Sequence, residues 1–159
     1  MTRVVTLGEV MLRLKAPAFE RLFQSPLLEA TFAGAEANVA VSLAQFGVET
    51  RFVSAVPANH IGDACIAELR RYGVDTSTIR RQGERLGAYF LENGANQRSS
   101  KVIYDRAGSA IAVAKPNEFA WAEIFAGADW FHVTGVTPAI SASAAELAVA
   151  AAGAARAKG

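Results

Sequence analysis

Two residues near the middle of the chain have side chains that could bind an anionic ligand. Tyr104 and Arg106 stand two positions apart in the strand-like run 101–106, and alternate side chains of a strand share one face. A guanidinium can bind a carboxylate through two parallel hydrogen bonds, and a tyrosine hydroxyl can add a third. The pair therefore suits an acidic ligand, although a solvated arginine beside a half-buried tyrosine would fit the same residues.

A glycine turn in front of a predicted helix gives a second candidate site. Gly34 lies in the run 33–40 and can approach a ligand closely, because it carries no side chain. The apolar residues that recur behind it at helical spacing are Val39, Leu43 and Phe46. Free N–H groups at the helix start, with the amide of Asn38, suit a polyhydroxylated ligand. A turn that serves packing alone remains the alternative.

Further candidates lie on three predicted strands. Tyr89 could stack on or hydrogen-bond a sugar, or simply pack within a sheet. Arg13 offers a cation, or alternatively a salt bridge at the edge of a sheet. Thr134, with its neighbours Gly135 and Thr137, follows the strand 129–133 at its carboxyl end, where open α/β sheets place ligands.

Composition narrows the class of protein. The 159 residues are 52% apolar and 19% charged, which predicts one globular domain with a sizeable core. A net charge of +1 gives no electrostatic footprint for nucleic acid or a membrane surface. The single cysteine, Cys65, is predicted to be a buried residue of a helix in a reducing compartment. No secretory leader opens the sequence, so we expect a cytoplasmic protein.

Several common sites are absent from the sequence. His60, predicted in a loop, and His132, predicted as a satisfied core histidine, lie far apart and give no zinc spacing and no nucleophilic triad. No P-loop motif is present, and no Gly-x-Gly-x-x-Gly follows the first strand. The alanine-rich segment 143–158 is too short and too weakly apolar to span a bilayer. We therefore expect no metal site and no membrane span.

The element pattern predicts an α/β fold. Strands are expected at 3–8, 10–15, 28–33, 50–56, 78–81, 86–92, 101–106 and 129–134. Helices are expected from Gly34 to the C-cap Gly47, from the cap Asp63 to Gly73, over 117–125, and from a Ser143–Glu146 capping box onward. Pro138 is expected to turn the chain. Alternating strands and helices favour a layered parallel sheet, and the strand pairs 10–33 and 86–106 fit no βαβ unit.

In order and type, these segments resemble the ribokinase-like (PfkB) family of carbohydrate kinases, and within it the 2-keto-3-deoxygluconate kinases. The matching stretches are 4–14 (VVTLGEVMLRL), 33–47, 61–63 with 68–75, 101–110 (KVIYDRAGSA) and 132–141. The resemblance implies a ribokinase-like parallel sheet with helices on both faces. It also implies that 10–33 and 86–106 form a small β-lid over the site, and that the lids of two copies meet in a homodimer.

The resemblance also assigns roles. It implies ATP-dependent, Mg²⁺-assisted phosphorylation of 2-keto-3-deoxygluconate. Lids of these kinases use a Tyr-x-Arg pair for the substrate, which matches Tyr104 and Arg106. Arg13 replaces an aspartate found in many members that act on neutral sugars, which favours an anionic ligand. The expected substrate-binding residues are Gly34, Asn38, Tyr89, Tyr104, Arg106, Arg13 and Thr134.

One expected motif is missing. Kinases of this family are about twice as long, and a Gly-Ala-Gly-Asp run in their second half supplies the catalytic base; no such run occurs in these 159 residues. We therefore expect residues 1–159 to be the N-terminal portion of a kinase domain, inactive by itself, with the ATP and Mg²⁺ site elsewhere. The alternatives are a non-catalytic sugar-binding or lid-dimerisation module, and a kinase for another sugar or nucleoside.

Overall fold

A computed structural model describes residues 2–158. The strands are β1 (Arg3–Leu7), β2 (Met11–Lys15), β3 (Glu29–Ala33), β4 (Glu49–Val53), β5 (Ala55–Val56), β6 (Arg80–Arg81), β7 (Ala88–Glu92), β8 (Lys101–Asp105) and β9 (Trp130–His132). The α-helices are α1 (Ala35–Gln45), α2 (His60–Arg71), α3 (Trp121–Ile124), α4 (Val136–Ile140) and α5 (Ala142–Arg156), with a 3₁₀ turn at Pro116–Glu118. The predicted α/β fold is confirmed.

The main sheet is parallel and has the strand order β4-β1-β9. Its central strand β1 is apolar and almost wholly buried, as its β-branched sequence predicts. Val5 and Leu7 pack with Phe125 and with Leu147 of α5 in one core cluster. A second cluster joins Phe52 of β4 to residues under α1 and α2, namely Val10, Ala40, Cys65 and Leu69.

A separate four-stranded sheet, which we call the small sheet, has the order β3-β2-β7-β8. Its strands come from the segments 10–33 and 86–106. β2 and β3 are antiparallel, as are β7 and β8, and β2 joins the two pairs in parallel. The small sheet therefore has β3 and β8 as its edges, and β2, which carries Arg13, is interior. The sheet-edge alternative for Arg13 is wrong.

Two predicted elements are interrupted. The strand expected over 50–56 breaks at the buried Ser54, and β5 then pairs in parallel with β6 instead of continuing the main sheet. The helix expected over 117–125 is a 3₁₀ turn followed by the short α3. Glu118 accepts a hydrogen bond from the backbone N–H of Lys115 at 2.7 Å, and this local closure competes with a continuous helix.

Two helix starts differ from the sequence prediction, and a short helix, α4, lies where Pro138 was expected only to turn the chain. α2 begins at His60, because Asn59 accepts hydrogen bonds from the N–H groups of Ile61 and Gly62 at 3.1 and 3.0 Å. Asp63 is therefore not the cap, and His60 is helical. Likewise Ser141, not Ser143, caps α5, by accepting from the N–H of Ala144 at 3.0 Å. Pro138 lies in the first turn of α4, where its missing N–H has no helical partner to lose.

The apolar buried face of α1 is formed by small residues and not by Phe46, the last of the apolar residues that marked the helix in the sequence. Ala37 and Ala40 pack against the body, whereas Phe46 is 82% exposed. Small side chains let this helix lie close to the main sheet. Gly47 does follow the helix end with a φ of +79°, the left-handed conformation that favours glycine. Within residues 2–158, no helix is long and apolar enough to cross a membrane.

Candidate functional site

Arg106 lies directly after β8, where the chain returns from the small sheet to the body. Its Nε donates to Oε2 of Glu9 at 2.8 Å, and its Nη2 lies 2.5 Å from the same oxygen. The Glu9 side chain is only 3% exposed and that of Arg106 is 23% exposed. Ser109 donates from its hydroxyl to the other carboxylate oxygen of Glu9 at 2.6 Å. A buried carboxylate thus fixes the Nε–Nη2 edge of the guanidinium, and Nη2 is itself buried.

A row of polar and aromatic side chains crosses the small sheet next to Arg106. The strand register pairs Thr31 with Arg13, Arg13 with Tyr89, and Tyr89 with Tyr104. The two tyrosine rings lie 5.8 Å apart between centroids, and the Arg106 guanidinium lies 5.6 Å from the Tyr104 ring centroid. Although Arg106 falls one residue beyond the strand, it is adjacent to Tyr104, as the sequence predicts.

The glycine turn at Gly34 lies against Glu9, the residue that binds Arg106. Gly34 is the N-cap of α1, and a Cβ there would lie 1.9 Å from the backbone oxygen of Glu9. The absence of a side chain at Gly34 therefore lets the turn pack closely against the backbone of Glu9, which is the packing alternative. Close approach of a ligand at Gly34 stays a prediction. Asn38 is exposed in the first turns of α1, with its Oδ1 3.5 Å from the N–H of Gly34. Arg13 and Asn38 both line one cavity of about 350 Å³.

Thr134 is held by a second buried carboxylate. Glu36 of α1 is 1% exposed, and its Oε1 accepts hydrogen bonds from the N–H and hydroxyl of Thr134 at 3.1 and 2.6 Å. The hydroxyl of Thr137 donates to the same oxygen at 2.9 Å. A Cβ at Gly8 would collide with this side chain. Glu36 thus ties the carboxyl end of β9 to the glycine turn.

The predicted residues therefore form two connected groups. Arg106, Tyr104, Tyr89 and Arg13 belong to the small sheet and its junction with the body. Gly34, Asn38 and Thr134 belong to the amino end of α1 and the loop after β9. Glu9 joins the groups, because it packs against Gly34 and binds Arg106.

Glu9 and Glu36 were not among the sequence candidates. Both lie inside motif segments, next to glycine turns and among apolar residues. A carboxylate in such a setting is rarely buried without a partner, and that signal could have identified them. Neither partner is close in sequence: Arg106 is 97 residues from Glu9, and Thr134 is 98 residues from Glu36.

An ion pair also lies at the junction between the small sheet and the body. Arg85 pairs with Asp105, with Nη2 and Oδ2 2.8 Å apart, and hydrogen bonding from this guanidinium lowers the pKa of the Asp105 carboxyl below its ordinary value.

The single cysteine is not part of the candidate site. Cys65 is buried, and burial raises its thiol pKa to about 12, so it is not a nucleophile at neutral pH.

The two histidines serve no recognised site. Nε2 of His132 is buried without a hydrogen-bond partner, so the prediction of a satisfied core histidine is wrong. His132 lies on the end strand β9 and is among the residues that line an open groove. Among residues 2–158, no three histidine, cysteine or acidic side chains cluster as metal ligands would.

Comparison with known proteins extends these observations. The 2-dehydro-3-deoxygalactonokinase of Haloferax volcanii is 40% identical over 138 residues, which cover 87% of this chain and 43% of that protein. The 2-dehydro-3-deoxygluconokinase of Bacillus subtilis is 34% identical over 139 residues, covering 87% and 43%. The crystal structure of 2-dehydro-3-deoxygluconokinase from Thermotoga maritima matches with a TM-score of 0.97 and 48% identity, covering 99% of this chain and 48% of that one.

These similarities cover most or all of this sequence but only part of each relative. The chain spans about half the length of the curated relatives it matches. The family description "pfkB family carbohydrate kinase" matches the whole sequence, residues 1–159. The chain belongs to the pfkB family of carbohydrate kinases.

Proposed function

We propose that this chain is the sugar-recognition part of an ATP-dependent kinase for a 2-keto-3-deoxy sugar acid, with 2-keto-3-deoxygluconate as the leading substrate. The observation that carries the proposal is the position of Arg106 beside Tyr104 and Tyr89, at the junction of the two sheets. Glu9 holds the Nε–Nη2 edge of the guanidinium, and its remaining N–H groups would bind the carboxylate.

The remaining candidates surround this anchor. Tyr104 would donate its hydroxyl to the carboxylate, and Tyr89 would stack on the sugar chain or hydrogen-bond it. Arg13 and Asn38, which share a cavity, would contact the far end of the ligand. Gly34 and Thr134 would contribute backbone and hydroxyl groups from the body. The small sheet would then act as the lid of the site.

The names of the relatives support an acidic substrate without choosing among acids. They include a 2-dehydro-3-deoxygalactonokinase, a 2-dehydro-3-deoxygluconokinase and 5-dehydro-2-deoxygluconokinases. Gluconates and galactonates share a carboxylate and differ in the placement of their hydroxyl and keto groups. Arg106 would serve all of them, so discrimination among them belongs to the hydroxyl contacts.

Phosphoryl transfer depends mainly on positioning the reactants and stabilising charge. In our proposal, ATP, Mg²⁺ and the base that accepts the substrate hydroxyl proton are held by the rest of a longer cytoplasmic kinase. This chain binds and orients the sugar acid and excludes water with the small sheet. By itself it would not transfer phosphate at an enzymatic rate, because the transition state lacks its stabilising groups.

Within residues 2–158, the β9 edge of the main sheet has no neighbouring strand, which supports a site shared with the rest of a longer kinase. β9 has β1 as its neighbour on one side, and its other side is the end of the main sheet. Next to it lies an apolar groove of about 510 Å³, lined by Val39, Leu43, Trp130 and Phe131. Trp130 is 70% exposed. We place the remainder of the kinase against this edge.

The small sheet also suits self-association, which is our proposal for a partner. β8 is an edge strand exposed along its whole length, and Val102, Ile103 and Tyr104 are 44%, 56% and 59% exposed. Exposed apolar edges of this kind are usually covered. A lid-mediated homodimer would cover this one. Light scattering of the full-length protein should then give a dimer, and a monomer at high concentration would refute this part.

The function is tested by kinase assays on the full-length protein with ATP and Mg²⁺. We expect turnover with 2-keto-3-deoxy sugar acids and far less with ribose, fructose or adenosine. The purified 159-residue chain should show none. Preferential turnover of a neutral sugar would reject the acid assignment, and a full-length protein that binds sugar acids but transfers no phosphate would favour a sugar-binding module.

A further inference from the structure

Four segments connect the body to the small sheet, and all four meet at one residue. These crossings are residues 8–10, 33–35, 86–87 and 106–109. Glu9 lies in the first. Gly34 of the second and Gly87 of the third pack so closely on it that a Cβ would lie 1.9 Å from the Glu9 backbone oxygen and 2.4 Å from its Oε1, respectively. Arg106 and Ser109 of the fourth donate to its carboxylate.

The contacts of Glu9 are of a kind that holds geometry firmly. Its carboxylate is buried and has Arg106 as its ion-pair partner, so loss of the charge would leave a partly buried cation unpaired. Hydrogen bonds to ionised groups are shorter and stronger than neutral ones. Gly87 packs against the carboxylate itself, whereas Gly34 packs against the backbone of Glu9, so both ends of the residue are held. The orientation of Arg106 and the attachment of the small sheet therefore depend on the same side chain.

We propose that Glu9 is the positioning residue that fixes the small sheet on the body and aims Arg106 at the substrate carboxylate. The second part of this statement rests on the proposed function, and the first does not. A ligand that engages Arg106 would then act on the same cluster that anchors all four crossings. Binding of the acid and closure of the small sheet would be coupled through Glu9.

The chain offers a matched control. Glu92, at the far end of the small sheet, has a side chain that is 7% exposed and pairs with Arg98 at 3.2 Å. It also accepts a hydrogen bond from the N–H of Leu22 at 3.0 Å. Glu92→Gln removes a comparable buried charge without touching a crossing. Any general effect of losing a buried carboxylate should appear in both variants.

Hydrogen exchange of the full-length protein, without ligand, tests the anchoring role. The N–H of Leu12 bonds the carbonyl of Gly87 at 2.9 Å, and the N–H of Ala110 bonds that of Arg85 at 2.9 Å, so both amides report on the crossings. In Glu9→Gln they should exchange at least about tenfold faster, at the lower end of the loss of a hydrogen bond to a charged group. Glu92→Gln should leave them unchanged.

Should Glu9→Gln fail to fold, Ser109→Ala removes a single bond to the same carboxylate. It should speed exchange of the same amides by a smaller factor. Equal increases of these exchange rates in Glu9→Gln and Glu92→Gln would overturn the anchoring role. Exchange rates that stay unchanged in both Glu9→Gln and Ser109→Ala would also overturn it.

Kinetics test the aiming of Arg106. Glu9→Gln should lower the ratio of kcat/KM for a sugar acid over a neutral sugar about tenfold, but less than twofold in an Arg106→Ala background, because the two residues act as a unit. A purely structural role would lower both substrates equally, and additive losses would also overturn the positioning role. A protein that phosphorylates no sugar acid would reject the proposed function, whereas the exchange experiment would still decide whether Glu9 anchors the small sheet.

Discussion

Replacing Glu36 by alanine should cost this protein a large share of its stability. The side chain is 1% exposed, and one of its oxygens accepts three hydrogen bonds, two from Thr134 and one from Thr137. Alanine would leave these donors without their acceptor and open a cavity beside Gly8. Stranding buried polar groups typically costs about 1–3 kcal/mol for each. Since some donors can reach water, we expect a total of about 3–5 kcal/mol.

Thermal and urea unfolding followed by circular dichroism measure this loss. At about 2–4 °C for each kcal/mol in a chain of this size, Tm should fall by about 6–20 °C. Glu29→Ala is the control, because that side chain is 51% exposed and forms a surface ion pair with Lys15. It should cost less than about 1 kcal/mol. Thr137→Val should cost less in the Glu36→Ala background than in the native protein. A loss below about 1 kcal/mol for Glu36→Ala would show that its three hydrogen bonds do not stabilise the fold.

Three further outcomes follow from single sites. In the same unfolding assay, Gly34→Ala should destabilise the protein by about 1–3 kcal/mol through overpacking. The control is Gly153→Ala in α5, where a new Cβ meets no atom within 4 Å, and it should be neutral or stabilising. Equal effects of the two substitutions would contradict the close packing at Gly34. Cys65, with its thiol pKa raised to about 12 by burial, should resist alkylation at pH 8 until the protein unfolds, and rapid modification of the native protein would disprove its burial. The pKa of Asp105 is lowered by Arg85, so its contribution is present above the ordinary pKa of about 4 and is lost as the pH falls through the folded value. Asp105→Asn should therefore weaken the acid dependence of stability, and an unchanged pH profile would count against the pair.

Much of the fold could be predicted because its signals are local. The apolar run of β1, the glycine before α1 and the alternation in β2 each depend on neighbouring residues only. The same holds for the hairpin of β7 and β8. Errors arose where two local signals competed. Asn59 and Asp63 can both cap a helix, and the structure uses the earlier one.

The candidate site was harder to predict, because its geometry depends on contacts across the chain. Tyr104 and Arg106 could be paired from their spacing, but the carboxylate that holds Arg106 comes from the link between β1 and β2. Gly34 could be identified as a position of close approach, but not that its neighbour would be Glu9. The helical spacing of Val39 and Leu43 could be read from the sequence, but not that both line the open groove beside β9. The residue pattern of a single helix or strand does not show which residues from other parts of the chain pack against it.

If Arg106 binds the carboxylate of the substrate, its loss should weaken an acidic substrate far more than a neutral sugar. The measurement is the ratio of kcat/KM for 2-keto-3-deoxygluconate over a neutral sugar, in the full-length protein and its Arg106 variants. Arg106→Ala should weaken the acid by about 1.5–3 kcal/mol, the range for hydrogen bonds to charged groups, and affect the neutral sugar much less. Arg106→Lys should recover little, because an ammonium cannot reproduce the two-pronged contact.

Arg98→Ala is the matched control, since Arg98 is 24% exposed against 23% for Arg106 and likewise pairs with a buried glutamate. It should leave the ratio unchanged. The ratio should fall by about tenfold or more in Arg106→Ala alone. A ratio that stays the same in Arg106→Ala, or falls equally in Arg98→Ala, would contradict carboxylate binding by Arg106.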